Sequence, residues 1–373
     1  MRVLIVEDGY QRGALTAVRA LHKAGWHVGV ASPVKGHAAR SRHCSAWHPA
    51  PQPSDGLDRF ERGINAALTT GYDIVLPAGD AELLTLSSLR GSLGPAVPLP
   101  DHEAVVNVLD KGIWEREAAA IGLEVPRRVQ AGEGRFPVVV KELLHGAPSG
   151  KHTRSEAVVA MDQDELDQAL TEIRSNGGTG IAQQHIPGTL IGVIVIVDRA
   201  GQVIGRGQQE AFRLWPAEAG VSTYARTVEP ETELVDKLGA LVHELGWWGP
   251  AEAQFIETDS QKVLIDINPR IYGSMALATS AGLDVASMWA RLCRGEAPTP
   301  ARAAPGHRYQ WLEGDLRRAL FASENGRVRD VGRTVAASLG AHHSLWSIRD
   351  PWPATRFAAT LTGRALRKGD AWS

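Results

Sequence analysis

The stretch Ala251–Ser274, AEAQFIETDSQKVLIDINPRIYGS, carries more information than any other part of the chain. Two strand-like runs, Ala251–Thr258 and Lys262–Asn268, flank an Asp259-Ser260 turn. In an antiparallel hairpin centred near Ser260, partner numbers sum to about 520. Gln254 then faces Asp266 and Glu252 faces Asn268, and alternation puts all four side chains on one face. The other face receives Ala253, Phe255, Val263, Ile265 and Ile267, which are all apolar.

Opposed side chains on such a face lie ~4.5–5.5 Å apart at Cβ. Oxygens from two strands can therefore share a hard cation, and Mg²⁺ takes one or two protein oxygens together with phosphates and water. Gln254, Asp266 and Asn268 suit that need. Arg270 follows a rigid Pro269 and is placed to meet a phosphate. A merely solvated polar face would account for Glu252, but less well for the other three, whose neighbours read as interior.

Upstream, the chain alternates strands and helices. Val3–Val6, His27–Ala31 and Asp73–Leu76 read as strands, with helices over Gln11–Ala24 and around Leu57–Leu68. This predicts a parallel sheet covered by helices. The first turn, DGYQRG, is not GxGxxG, so a Rossmann-like sheet without a dinucleotide is the better reading. Pro98–Asp101 reads as a linker, Asp110–Ile121 as a helix, and Phe136–Lys141 as the start of a new sheet. Further strands are expected at Glu156–Met161, Ile191–Asp198 and Gln202–Gly205. Helices are expected at Asp164–Arg174, Glu231–Leu245, Met275–Ala281 and Asp284–Cys293.

Composition narrows the function. Among 373 residues, 40 Lys+Arg stand against 42 Asp+Glu, a net charge of −2. That balance argues against a partner read through phosphate charge, such as nucleic acid. Two distant cysteines, Cys44 and Cys293, supply neither a disulfide framework nor a zinc site. The chain shows neither a secretory signal nor a membrane-spanning run, which predicts a cytoplasmic protein.

The strand, QF, turn, LIDINPR order resembles the metal-binding end of the ATP-grasp superfamily, in its carboxylate–amine ligase branch. The Gln form is similar to the ATP-grasp half of the carbamoyl phosphate synthetase large chain. Asp266 stands where Glu is usual. The resemblance extends to Lys111 and Lys141, where the family's phosphate-contacting lysines sit. It also covers Gln183-Gln184-His185-Ile186, the hinge whose backbone holds adenine, although Thr189-Leu190 replace a Glu often found beyond it. Arg213, in the FRLWP segment, matches an arginine that faces the acyl substrate. HGAPSGKHT (145–153) is a near miss to a P-loop, with one residue too few between its glycines and His152 in place of Ser/Thr; in the ATP-grasp reading it is the loop over the phosphates, with Ser149 and Lys151 as candidates.

The resemblance implies three parts. These are a Rossmann-like α/β domain over 1–100, an ATP-grasp domain of two α+β subdomains over 101–297 with its hinge near 182–188, and a helical extension over 298–373. It implies ATP and Mg²⁺ (or Mn²⁺), with the metal on Gln254, Asp266 and Asn268. Catalytic roles fall to Arg270 and Arg213. The reaction implied is amide formation between a small carboxylate and an amine, an amino acid or small acid, through an acylphosphate. A homodimer is compatible with it. Two alternatives stay open: an ATP-binding scaffold of the same fold with weakened catalysis, and a ligase with another acceptor, such as ammonia or a hydroxyl.

Overall fold

The computed structural model describes residues 1–130, 133, 135–144, 157–217 and 219–354. Ser149 and Lys151, and the basic residues Arg356, Arg364, Arg367 and Lys368 near the end of the chain, lie outside the described residues.

The first sheet is parallel and four-stranded, in the order β3-β2-β1-β4. Its strands are β1 (Arg2–Val6), β2 (His27–Ser32), β3 (Ala46–Pro49) and β4 (Ile74–Pro77). Val3–Val6, Val28–Ser32 and Ile74–Pro77 are buried throughout, as parallel strands covered on both faces must be. Helices α1 (Arg12–Lys23) and α2 (Leu57–Leu68) follow β1 and β3. Beyond β4 come α3 (Asp80–Ser88), α4 (Arg90–Leu93), α5 (His102–Leu109) and α6 (Lys111–Ala120). Asp110 caps α6, its side chain accepting from the Gly112 and Ile113 amides at 2.7 and 3.2 Å.

A small antiparallel sheet, β6-β5-β7, comprises β5 (Val138–Glu142), β6 (Val158–Ala160) and β7 (Gly180–Gln184). Helix α7 (Gln163–Ser175) closes over it, with Leu166, Ala169 and Ile173 meeting Val138, Val140 and Ala182 in a core of its own. The large sheet runs β12-β11-β8-β9-β10-β14-β15, with β13 against β9. It contains β8 (Thr189–Val197), β9 (Val203–Trp215), β10 (Val221–Val228), β11 (Gly249–Glu257), β12 (Lys262–Asn268), β13 (Ala301–Arg302), β14 (Arg308–Gln310) and β15 (His342–His343). Helices α8 (Thr232–Glu244), α9 (Met275–Ser280), α10 (Val285–Cys293), α11 (Leu312–Phe321) and α12 (Arg327–Ser338) complete the described fold. No helix among the described residues is long and apolar enough to cross a membrane.

Two strand details depart from expectation. β9 does not stop at Gly205 but continues to Trp215. Its polar Gln208-Gln209-Glu210 hides a central strand, because side-chain partners anchor the glutamines: Gln208 bonds Glu231, and Gln209 donates to Ser274 Oγ at 2.8 Å. The β11–β12 hairpin keeps the sum of 520 from Glu252↔Asn268 to Gln254↔Asp266, then shifts by one residue. Past this bulge Phe255 opposes Leu264, and both enter the core. Ile265, expected on the core face, lines the cleft with Ile256, because the inserted residue reverses which side chains share a face.

The first sheet meets the large one through α1. A Cβ built on Gly13 would stand 2.3 Å from the Tyr272 carbonyl oxygen and 2.8 Å from Ile271 Cγ2. Alanine normally favours a helix over glycine by about 1 kcal/mol. Here the contact is with backbone, so Gly13→Ala should instead destabilise by about 1–3 kcal/mol. A lowered urea midpoint is the expected result; an unchanged or raised midpoint would show that α1 can move away from the Tyr272 segment at no cost.

Candidate nucleotide and substrate cleft

A cleft of about 1260 Å³ lies where the three sheets converge. Its polar floor is the hairpin face, with Glu252, Gln254, Asp266 and Asn268 all on the lining. Glu252 is 3% exposed, and its Oε2 accepts from Asn268 Nδ2 at 2.8 Å. Burial pushes the Glu252 carboxyl up to about 7, with Asp266 adding to the rise and Asn268, Arg270 and Gln254 opposing it. A side chain at Gly192 would come within 2.9 Å of both Glu252 Oε1 and Gln209 Nε2, so glycine there gives these groups their room.

Three cations surround this floor in different ways. Lys141, at the end of β5, donates to the Ile265 carbonyl at 3.2 Å, reaching from the small sheet to the bulge of the large one. Desolvation lowers its pKa to about 8, with the Lys111 charge in the same direction and the Asp266 and Glu115 carboxylates against it. Lys111 is 1% exposed and ion-pairs with Asp266 Oδ1 at 3.0 Å. Unlike Lys141, it is not part of the cleft lining. Arg270 is on the lining, but its guanidinium grips Asp80 in a bidentate pair, Nε to Oδ1 at 2.6 Å and Nη2 to Oδ2 at 2.8 Å. It also donates to Asn268 Oδ1 at 2.9 Å and to the Ile271 carbonyl at 3.0 Å.

The chain crosses from the small sheet to the large one at 185–188, between β7 and β8. Gln184, His185 and Ile186 line the cleft there, with Val139, Leu190, Ile256 and Ile265 forming an apolar slot beside them. Gln183 is 1% exposed and donates to Glu115 Oε1 at 2.6 Å, while Arg128 bonds the other Glu115 oxygen at 2.9 Å. Its side chain fixes the crossing to α6, leaving its backbone to the neighbouring strands.

Arg213, expected to face the acyl substrate, is held against α11. It is not part of the cleft lining: its Nη2 lies 2.6 Å from Asp315 Oδ2, and the guanidinium stacks 4.2 Å from the Tyr224 ring centroid. The β10 irregularity around Tyr224 accompanies this arrangement, so the FRLWP segment meets α11 with its arginine and the cleft with Leu214 and Trp215. Glu252 is the residue that sequence reasoning set aside too easily; its place opposite Asn268 and beside Gln254 was available from the register. A second group lines the far end: Asp8, Tyr10 and Gln11 from the turn after β1, Arg12 at the start of α1 and His37 beyond β2, with Trp311, Glu313 and Arg317 from α11 and its start. No local motif marks these residues, because only the packing of α1 and α11 against the large sheet brings them together.

A sequence profile described as "ATP-grasp in the biosynthetic pathway with Ter operon" matches residues 216–315, which include the β11–β12 hairpin. Among solved structures, the biotin carboxylase domain of Hydrogenobacter thermophilus 2-oxoglutarate carboxylase, in complex with MgADP, ADP and bicarbonate, is 18% identical, with a TM-score of 0.63 over 82% of this chain and 73% of that one. The fold is ATP-grasp. The L-amino acid ligase of Bacillus licheniformis shares the ATP-grasp architecture at 15% identity, with a TM-score of 0.60 over 82% of this chain and 78% of that one. N5-carboxyaminoimidazole ribonucleotide synthetase of Thermotoga maritima does so at 16% identity and a TM-score of 0.57, over 80% and 78%. Comparison with curated proteins finds no match.

The position of Lys141 in the ATP-grasp cleft yields a pH prediction. Its ammonium is charged below about 8 and neutral above. If Lys141 meets the phosphates of ATP, it must do so in the charged form, and the apparent ATP requirement should rise as pH climbs through 8, by up to about tenfold per pH unit. Lys141→Arg keeps its charge across that range and should flatten the rise. An identical pH profile in the two proteins would remove Lys141 from the phosphate site.

Proposed function

We propose that this chain is an ATP-dependent ligase that activates a carboxylate and transfers it to an amine. The observation carrying this reading is the oxygen-rich floor of Glu252, Gln254, Asp266 and Asn268, set directly beside Lys141 where the two ATP-grasp sheets face each other. The apolar slot at the crossing suits an adenine, with Gln184, His185 and Ile186 along it. The floor suits a divalent cation: two carboxylates and two side-chain amides present hard oxygen donors. Asp266, Glu252 and Gln254 would hold Mg²⁺ or Mn²⁺ there. Asn268 supports them from the side, since its oxygen already accepts from Arg270 and its nitrogen donates to Glu252. The metal would supply neutralisation of phosphate charge.

In the reaction, a carboxylate oxygen of the substrate bonds the γ-phosphorus as the β–γ bridging P–O bond breaks, and ADP leaves. The amine nitrogen then attacks the acyl carbon, loses a proton and expels phosphate. Lys141 meets the phosphates, with Lys111 acting behind Asp266. The convergence of three sheets shields the activated acyl group from water. The L-amino acid ligase among the similar structures supports amide formation, and the MgADP complex supports the nucleotide and metal.

The test is ADP release from purified protein with ATP and Mg²⁺ over pairs of amino acids, with product masses read by mass spectrometry. ADP together with an amide-coupled product is the expected outcome. Tight ATP binding without turnover on any pair would favour the scaffold alternative. ADP with an ester or a primary amide would keep the fold's chemistry and change the acceptor.

A further inference from the structure

The far end of the cleft is a chamber with unusual polar content. Glu313 on α11 is 4% exposed. Its Oε1 accepts from Trp346 Nε1 at 3.1 Å, while its Oε2 is buried without a hydrogen-bond partner among the described residues. Arg317 stands one helical turn along on the same lining, and its Nε is likewise buried without a partner. Arg12 enters from the opposite side, donating to Tyr309 Oη at 3.0 Å, with its guanidinium stacked 3.9 Å from the centroid of a Trp311 ring. Gln209 Oε1 and Tyr272 Oη, both on the lining, also lack partners among the described residues. Leu214, Trp215, Phe321 and Leu345 form apolar walls.

Glu313 and Arg317 are spaced i,i+4 on one helix, where opposite charges normally pair. No ion pair joins them among the described residues, so a buried carboxylate oxygen and a buried guanidinium nitrogen both remain open at the chamber. Buried polar atoms left in this way cost stability unless a ligand satisfies them. A purely anionic ligand would meet Glu313 as a like charge, and a purely cationic one would meet Arg12 and Arg317. A group carrying both signs satisfies all three.

We infer that this chamber binds a zwitterion with one ammonium, one carboxylate and an apolar side chain, the ammonium on Glu313 and the carboxylate on Arg317 and Arg12. The aromatic walls take the side chain. Its standing as the ligase's substrate rests on the function proposed above; the binding itself does not.

Calorimetry on the full chain, with Mg²⁺ and a non-hydrolysable ATP analogue, tests this with L-leucine, L-phenylalanine, hydrocinnamate and phenethylamine. Hydrocinnamate and phenethylamine lack the ammonium and the carboxylate respectively. L-phenylalanine should bind at least about tenfold more tightly than either, the scale of one charge-assisted hydrogen bond. Glu313→Gln keeps an acceptor for Trp346, and it should bring L-phenylalanine down to the level of hydrocinnamate while sparing hydrocinnamate. Arg317→Met should bring it down to the level of phenethylamine. Equal binding of the three aromatic probes, no binding of either amino acid, or an unchanged ratio in Glu313→Gln would overturn the inference. The analogue's own binding is read separately. If it fails, the ligase reading falls, while the ranking of the amino-acid probes, repeated without nucleotide, still decides the chamber.

Discussion

Asp266→Asn should lower substrate-dependent ADP release by about 10²–10³-fold in protein that still folds, at some cost in stability because buried Lys111 loses the charge of its ion-pair partner. The loss of rate is on the scale of losing one preorganised electrostatic group from a transition state. Asp266 is where the hairpin floor and the cations meet. It opposes Gln254 across the strands, ion-pairs with Lys111 at 3.0 Å and raises the pKa of Lys141. The amide keeps the shape of the side chain and removes its charge, so loss of activity in a folded protein points to the charge. Asp266→Ala would also leave the 2%-exposed Lys111 side chain facing a void, confounding stability with chemistry. The measurement is ADP release at saturating ATP, with folding checked by circular dichroism. Turnover within tenfold of the parent protein would remove Asp266 from the metal and phosphate machinery.

Much of this floor was legible because alternation along two short strands is a strong constraint. Once Asp259-Ser260 is taken as the turn, the pairing of Gln254 with Asp266 and of Glu252 with Asn268 follows from counting. The bulge was not legible: Leu264 and Ile265 are both large and apolar, so nothing in their chemistry says which one is extra. The bulge decides that the Ile265 carbonyl receives Lys141 and that the Ile265 side chain faces the slot. The first sheet was readable from its apolar runs, whereas the hinge near 182–188 came only from the resemblance to ATP-grasp proteins. Arg213 and the far chamber depended on how α11 packs, and that packing is set by contacts between residues about a hundred or more positions apart. Asp315, the partner of Arg213, looks like any other acidic residue at a helix start. Arg270 shows the same limit. Its local sequence, INPRIY, says that a guanidinium sits at a rigid corner, but not that Asp80, nearly two hundred residues earlier, is waiting for it.

That pairing carries the second large effect. Asp80→Ala should destabilise the chain by about 3–5 kcal/mol, the usual result of removing one partner from a buried, hydrogen-bonded ion pair. The Arg270 side chain is 4% exposed and that of Asp80 is 10% exposed, so water cannot replace the lost carboxylate easily. Burial pulls the Arg270 pKa down, but Asp80, with Asp266 and Glu252 beyond it, reverses the balance and holds it above its ordinary value. Asp80 also begins α3, where a negative charge favours the helix N-terminus. The effect should spread to the floor, because Arg270 holds the oxygen of Asn268, and Asn268 holds Glu252. Urea denaturation of Asp80→Ala, Arg270→Met and the double variant separates the roles. If Arg270 serves mainly as the partner of Asp80, the double variant should be more stable than Asp80→Ala alone, because methionine leaves no buried charge behind. If Arg270 is instead free to serve phosphate, Asp80→Ala should stay within about 1 kcal/mol of the parent protein, the range of an exposed pair, and should change the ATP requirement alone.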